Sequence, residues 1–321
     1  MKQAATIMNT LGKEKKPFLF IIDYAMLQPL VIPLDKVDAS EILFDVAGIT
    51  NVKKTAVTNK KLLFSWTPVP KDVYCKAFEN VQFHIRRGDS FLLNLTMPAY
   101  IKTNYCLKDI FYRSKAKYKL WIKNKLVVFS PEIFIKIDKG IISSFPMKGT
   151  MDASLPDAEK RLLSSEKELS EHYTIVDLIR NDLNMIAEKV KVTRFRYLDR
   201  LKTHKGTLLQ MSSEITGILP DDYAGHIGTI IHKLLPAGSI SGAPKKRTME
   251  IIEETEVYNR GYYTGIFGVF DGVNLNSGVM IRFMEQTPDG LIYKSGGGIT
   301  AHSNCNDEYQ ELIDKIYVPF A

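Results

Sequence analysis

The chain has 321 residues, 45% of them hydrophobic and 25% charged, which is enough apolar material for a large globular core. No apolar run approaches the ~20 residues of a membrane-spanning helix, and Lys13, Lys15 and Lys16 follow no signal-peptide pattern. The net charge of +7 is spread in short clusters such as Lys245-Lys246-Arg247, which disfavours nucleic acid and leaves a small dianionic substrate open.

Short β-rich runs are predicted at 18–22, 62–66, 90–95, 118–122 and 125–129, with Asn124 as the turn between the last two. A helix is expected over 71–87. Ser154 is placed to cap a helix carrying Pro156 and Asp157 in its first turn. From 157 to about 189, Leu162, Leu169, Ile175, Leu178, Leu183 and Ile186 recur at helical spacing. Strand character returns from Lys191, and again over 265–283 around a turn at Asp271-Gly272. Further helices are expected over 243–254 and 307–317. Hairpins and helices in mixed order point to an α+β fold, and no repeat or flexible linker divides residues 1–321 into separate domains. Cys75, Cys106 and Cys305 are odd in number and widely spaced, so neither a disulfide framework nor a metal framework is expected. A reducing cytoplasm is the corresponding location.

Four segments are candidates for chemistry. Ser295-Gly296-Gly297-Gly298-Ile299-Thr300 precedes the last helix and reads either as an anion cradle or as a flexible turn. Glu308 and Glu311 share a face of that helix, with Lys315 one turn beyond, and Glu168 and Glu171 repeat the device in the middle of the chain. Two such helices suit a hard cation, whereas each pair alone reads as a solvated face. In Ser143-Ser144-Phe145-Pro146-Met147-Lys148-Gly149-Thr150, the backbone positions Lys148 as either a nucleophile or an exposed loop lysine. The small residues and prolines of 235–245 read as a close-packed structural turn.

In this order the segments resemble the chorismate-utilising enzymes, over about residues 81–315 and most closely from Ser130 onward. The matching pieces are Phe129-Ser130-Pro131-Glu132, Pro146-Met147-Lys148-Gly149-Thr150, Glu168-Leu169-Ser170-Glu171-His172 and the stretch 175–183. The 236–245 turn, the triple glycine and Glu308-Tyr309-Gln310-Glu311 complete the series. The resemblance implies an α+β fold of two packed antiparallel sheets flanked by outer helices, with chorismate as substrate and Mg²⁺ as cofactor. It implies Glu171 and Glu311 as direct metal ligands, with Glu168 and Glu308 acting through water. Arg282 and the amides of Gly296, Gly297 and Gly298 match positions that hold substrate carboxylates. Gly149, Thr150 and Lys315 are expected around the same site. Glu132 matches the general acid that protonates the departing C4 hydroxyl.

Lys148 selects a branch. The similar anthranilate synthases usually carry a small residue there, whereas aminodeoxychorismate synthases usually carry lysine. That likeness implies attack of Lys148 on C2, loss of the C4 hydroxyl and addition of ammonia at C4, on the route to 4-aminobenzoate and folate. Leu92 stands where isochorismate and salicylate synthases need a water-activating lysine, which disfavours them. Gln210 occupies a place where many members carry a histidine, and it cannot titrate. About 80 residues precede the best-matched core (81–321), so no conventional tryptophan site is expected. No glutaminase or lyase segment is recognisable. Ammonia is therefore expected from a separate glutamine amidotransferase subunit.

Overall fold

The computed structural model describes residues 1–53, 60–203 and 206–320; the side chains of 148, 150, 166, 167, 201–203 and 208 are outside that description. Two nine-stranded sheets, antiparallel at every pairing, pack against each other. The first runs, in spatial order, Met147–Asp152, Gly206–Ile218, Ile141–Ser144, Ile133–Asp138, Leu275–Val279, Ile266–Phe270, Phe18–Ile22 and Leu30–Pro33. Glu188–Thr203 also pairs with Gly206–Ile218. The second runs Gly242–Ala243, Leu92–Thr103, Gly290–Ile299, Phe283–Thr287, Leu126–Ser130, Tyr118–Ile122, Ile42–Val46 and Ile49–Thr50. Phe64–Thr67 adds to Leu92–Thr103.

Eight α-helices are described: α1 Lys2–Lys13, α2 Lys71–Arg86, α3 Leu107–Arg113, α4 Ala158–Ser164, α5 Glu166–Asn184, α6 Ile227–Leu234, α7 Lys245–Thr255 and α8 Cys305–Asp314. Phe18–Ile22 shows why the layers form. All five residues are buried; Phe18, Phe20 and Ile22 pack with residues of α5 and α6, while Leu19 and Ile21 enter a core shared with Tyr118, Val128 and Phe283 of the other sheet. A strand apolar on both faces is stable only between two covering layers. On the far side, Leu93, Leu95 and Met97 alternate inward against Tyr74, Phe78 and Ile85 of α2 and Leu312 of α8. No helix of the described residues is long and apolar enough to cross a membrane.

Four expectations change. The helix read over 157–189 is two helices, because Ser165 leaves the helical conformation (ψ 115°) and its side chain accepts from the Glu168 amide. Ser154 caps neither; its amide and hydroxyl both donate to Asp152. The triple glycine is neither a loop nor a helix-end cradle. It lies inside the Gly290–Ile299 strand, with Gly296, Gly297 and Gly298 opposite Thr96, Leu95 and Asn94. A Cβ on Gly296 would meet the Leu95 carbonyl at 2.4 Å, so close backbone approach explains the missing side chain. Finally, Cys75 of α2 and Cys305 of α8, 230 residues apart in sequence, form a disulfide. Odd number and wide spacing said nothing about a contact that only the tertiary fold creates.

Candidate active site

Glu132 sits between the Leu126–Ser130 and Ile133–Asp138 strands, anchored through its backbone. Its amide donates to Ser130 Oγ (3.1 Å) and its carbonyl accepts from the Val279 amide (3.1 Å). Ser239 Oγ donates to Glu132 Oε1 at 2.5 Å. A narrow cleft of about 20 Å³ opens beside them, lined also by Pro146, Asp182 and Gly238.

The loop that delivers Ser239 is held by two buried ion pairs. Lys245 Nζ lies 2.5 Å from Asp182 on α5 and donates to the Leu234 carbonyl (2.9 Å). Burial raises the Asp182 pKa and lowers that of Lys245, and each partner pulls the other back toward its charged form. Arg260 grips Glu256 bidentately (2.8 and 2.7 Å) with both side chains 2% exposed. Its remaining donors reach the Ile240 and Asn94 carbonyls, and Thr96 donates to Glu256 from both amide and hydroxyl. A buried pair this fully hydrogen-bonded offsets its desolvation. It joins the loop to the strand facing the triple glycine.

Lys148 belongs to the Met147–Asp152 strand. Met147 faces Ser212 and Thr150 faces Gln210, so this strand carries one residue more than its partner between those pairs. Gly149 occupies the irregularity with φ +86°, and a Cβ there would lie 2.9 Å from Glu168 Oε2. The Ser213 amide holds the Pro146 carbonyl (3.0 Å), and Ser213 Oγ lies 2.7 Å from His172 Nε2 on α5. The side chains of Lys148 and Thr150 lie outside the described residues.

The carboxylates come in two pairs. Glu168 is half-buried beside Gly149, and Glu171 is 7% exposed. On α8, Glu308 is 1% exposed and accepts from Ser303 Oγ at 2.6 Å. Glu311 pairs with Lys315 (2.5 Å), which also donates to the Gly296 carbonyl. A side chain starting at Gly297 would come within 3.4 Å of both Glu308 and Glu311. Among the described residues, no three His, Cys, Asp or Glu side chains lie close enough together to hold an ion. The donors are nonetheless of one kind, carboxylate oxygens, and the α8 pair opens on space that only a glycine leaves; that is the hard-oxygen chemistry Mg²⁺ takes.

Arg282 is half-buried in the left-handed conformation (φ 51°), its guanidinium 5.1 Å from the Tyr317 ring. Its Nε has no hydrogen-bond partner among the described residues, leaving a donor for an anion. Tyr263 is buried nearby. Burial raises its pKa, with Arg282 pulling the other way and Glu132 adding to the rise. Leu92 is buried and Gln210 is half-buried opposite Thr150. Ser239, Tyr263 and Arg260 carry no functional signal in the sequence. Ser239 lies in a segment whose small residues and prolines read as a turn, and a buried tyrosine or arginine has no spacing signature of its own.

The family model described as chorismate binding enzyme matches residues 34–320. An uncharacterized PabA-like protein of Pasteurella multocida is 51% identical over 312 residues, covering 97% of this chain and 96% of its own. Anthranilate synthase component 1 of Acetivibrio thermocellus is 31% identical, over 77% of this chain and 52% of its own. Aminodeoxychorismate synthase component 1 of Bacillus subtilis is 30% identical, over 78% of this chain and 55% of its own. The chain thus spans about half the length of these two synthases. The menaquinone-specific isochorismate synthase of Escherichia coli shares the fold, with a TM-score of 0.75 at 15% identity over 98% of this chain and 80% of that one.

Proposed function

The chain belongs to the chorismate binding enzyme family, and from that premise we propose that it aminates chorismate at C4 to give 4-amino-4-deoxychorismate. Identity to the two kinds of aminating synthase is nearly equal, at 31% and 30%, so the choice between them rests on the site. One observation carries it: the backbone places Lys148 between Pro146, which lines the cleft beside Glu132, and Gly149, which abuts Glu168. The strand that carries Lys148 thus runs from the cleft of Glu132 toward the carboxylates of α5, which supports an amine acting on a substrate held there.

In the first step the Lys148 amine attacks C2 as the ring double bonds shift, and the C4 hydroxyl leaves as water with the proton of Glu132. Hydroxide is a poor leaving group, so a positioned acid is required. In the second step ammonia adds at C4, the double bonds shift back, and the lysine leaves C2. The balance is chorismate plus ammonia giving aminodeoxychorismate plus water, with the pyruvyl ether kept. Arg282, with its unmatched Nε donor, and Lys315 serve the substrate carboxylates, together with the amides at Gly296–Gly298. Glu171 and Glu311 would hold Mg²⁺ directly, with Glu168 and Glu308 through water, and the ion would supply positive charge for the ring carboxylate. A separate glutaminase subunit supplies the ammonia.

The test is product identity. Incubation with chorismate, Mg²⁺ and ammonium should give a product that becomes 4-aminobenzoate only after a lyase is added. Anthranilate formed without any lyase would defeat the reading.

A further inference from the structure

We propose that Cys75 and Cys305 are a reversible thiol–disulfide site whose state controls the order of the first turn of α8. The two residues come from helices far apart in sequence, and their Cα atoms are 6.0 Å apart, within the range a disulfide spans without moving backbone. Both residues are partly exposed rather than enclosed in the core. Cys106 takes no part; it caps α3 through Asp109.

The bond sits at the seam between α2 and α8. Beside it, the Tyr74 ring packs 5.4 Å from that of Tyr309, and the Tyr309 hydroxyl donates to the Val69 carbonyl (2.8 Å). Tyr74 is fully buried, its hydroxyl has no hydrogen-bond partner among the described residues, and it lies in the field of Glu308 and Glu311. Cys305 is the first residue of α8, one turn before Glu308 and on the same face. Asn304, Asn306 and Asp307 around it are exposed. The disulfide is therefore the covalent hold on an exposed helix start that is otherwise capped by the Asn304 side chain, which accepts from the Asn306 amide (2.9 Å), and through it on the carboxylate that faces Gly297.

The co-reactant is a small-molecule disulfide such as oxidised glutathione. One cysteine thiolate attacks it, forming a mixed disulfide and releasing one small thiol. The second cysteine attacks the mixed disulfide, closing the Cys75–Cys305 bond and releasing the other thiol. The two cysteines lose two electrons and two protons, and the small disulfide gains them. Reduced glutathione reverses both steps. The consequence for Glu308 and Glu311 rests on the catalytic reading above; the bond and the ordering of α8 do not.

The full-length Cys106→Ser protein, equilibrated in glutathione buffers from reduced to oxidised, tests this. Alkylation and intact mass should show one transition between two reactive thiols and none, with a Cys75–Cys305 cross-linked peptide at the oxidised end. Amide hydrogen exchange over 305–311 should be about tenfold faster in the reduced form, while the Phe18–Ile22 strand stays unchanged. Cys75→Ser should exchange like the reduced protein in every buffer. Thiols that stay reactive in oxidised glutathione, or equal exchange in the two forms, would overturn the proposal. Chorismate consumption followed against Mg²⁺ should need more metal in the reduced form. If exchange shifts but neither form consumes chorismate, the redox site stands and the catalytic reading falls.

Discussion

The Ser239 hydroxyl donates a 2.5 Å hydrogen bond to Glu132 Oε1. Two elements 107 residues apart in sequence are thereby joined at one carboxyl group. One is the link between two interior strands, Leu126–Ser130 and Ile133–Asp138, and the other is a loop braced by the Asp182–Lys245 and Glu256–Arg260 pairs. Ser239→Ala removes the donor and leaves the brace. Turnover should fall about 10- to 100-fold, the equivalent of the ~1.5–3 kcal/mol of a hydrogen bond to a charged group. The Mg²⁺ midpoint should not move, and Ser239→Thr should recover part of the rate. Steady-state kinetics with an unchanged kcat in Ser239→Ala would show that Glu132 is oriented by its backbone alone.

Lys148→Ala addresses the nucleophile. C4 amination should drop on the order of 10³-fold, because a covalent route is lost while the rest of the site remains. Mass spectrometry should then find either slow residual aminodeoxychorismate or some product aminated at C2. Full C4 activity in the variant would mean that ammonia attacks directly.

Adjacent glycines separate fold from site. A Cβ on Gly296 would lie 2.4 Å from the Leu95 carbonyl and 2.5 Å from Thr96 Cγ2, so Gly296→Ala must spread two paired strands. A loss of about 1–3 kcal/mol is expected in urea unfolding. At Gly297 the nearest atoms are carboxylate oxygens of Glu308 and Glu311 at 3.4 Å, ends of side chains that can give way. Gly297→Ala should cost under about 1 kcal/mol in stability yet raise the Mg²⁺ concentration needed for turnover. An unchanged Mg²⁺ midpoint would place the ion elsewhere.

What was legible in the sequence was what local spacing carries. The paired glutamates of α5 and α8, the Asn124 hairpin and the strands on either side of Asp271-Gly272 follow from periods of 3.6 and 2 and from turn chemistry. The strands Leu30–Pro33 and Ile42–Val46 carry weak signals because they are short and neither alternates strictly between buried and less buried positions. The break at Ser165 was hidden by apolar residues that keep helical spacing across it. Three consecutive glycines signal a loop by composition; here they make a strand because neighbouring backbone fills the space of their side chains. Ser239 meeting Glu132 and Cys75 meeting Cys305 are products of the sheets' packing, to which no window of sequence is sensitive.

The Asp182–Lys245 pair gives the last prediction. Asp182 lies on α5, which also bears Glu168 and Glu171, and Lys245 opens α7 directly after the loop that carries Ser239. The pair thus ties the acid's partner to the helix of the carboxylates. Asp182→Leu leaves the Lys245 ammonium buried without its carboxylate and should cost about 3–5 kcal/mol. Adding Lys245→Met removes the stranded charge, and the double variant should recover most of that loss, since desolvation opposes both charges in the folded state. If the pair serves stability alone, the double variant should regain turnover along with it. If its geometry positions Ser239, urea unfolding should look close to the parent while kcat stays depressed and the chorismate KM changes little. Full recovery of kcat in a stable double variant would remove the link between this ion pair and the Glu132 carboxyl.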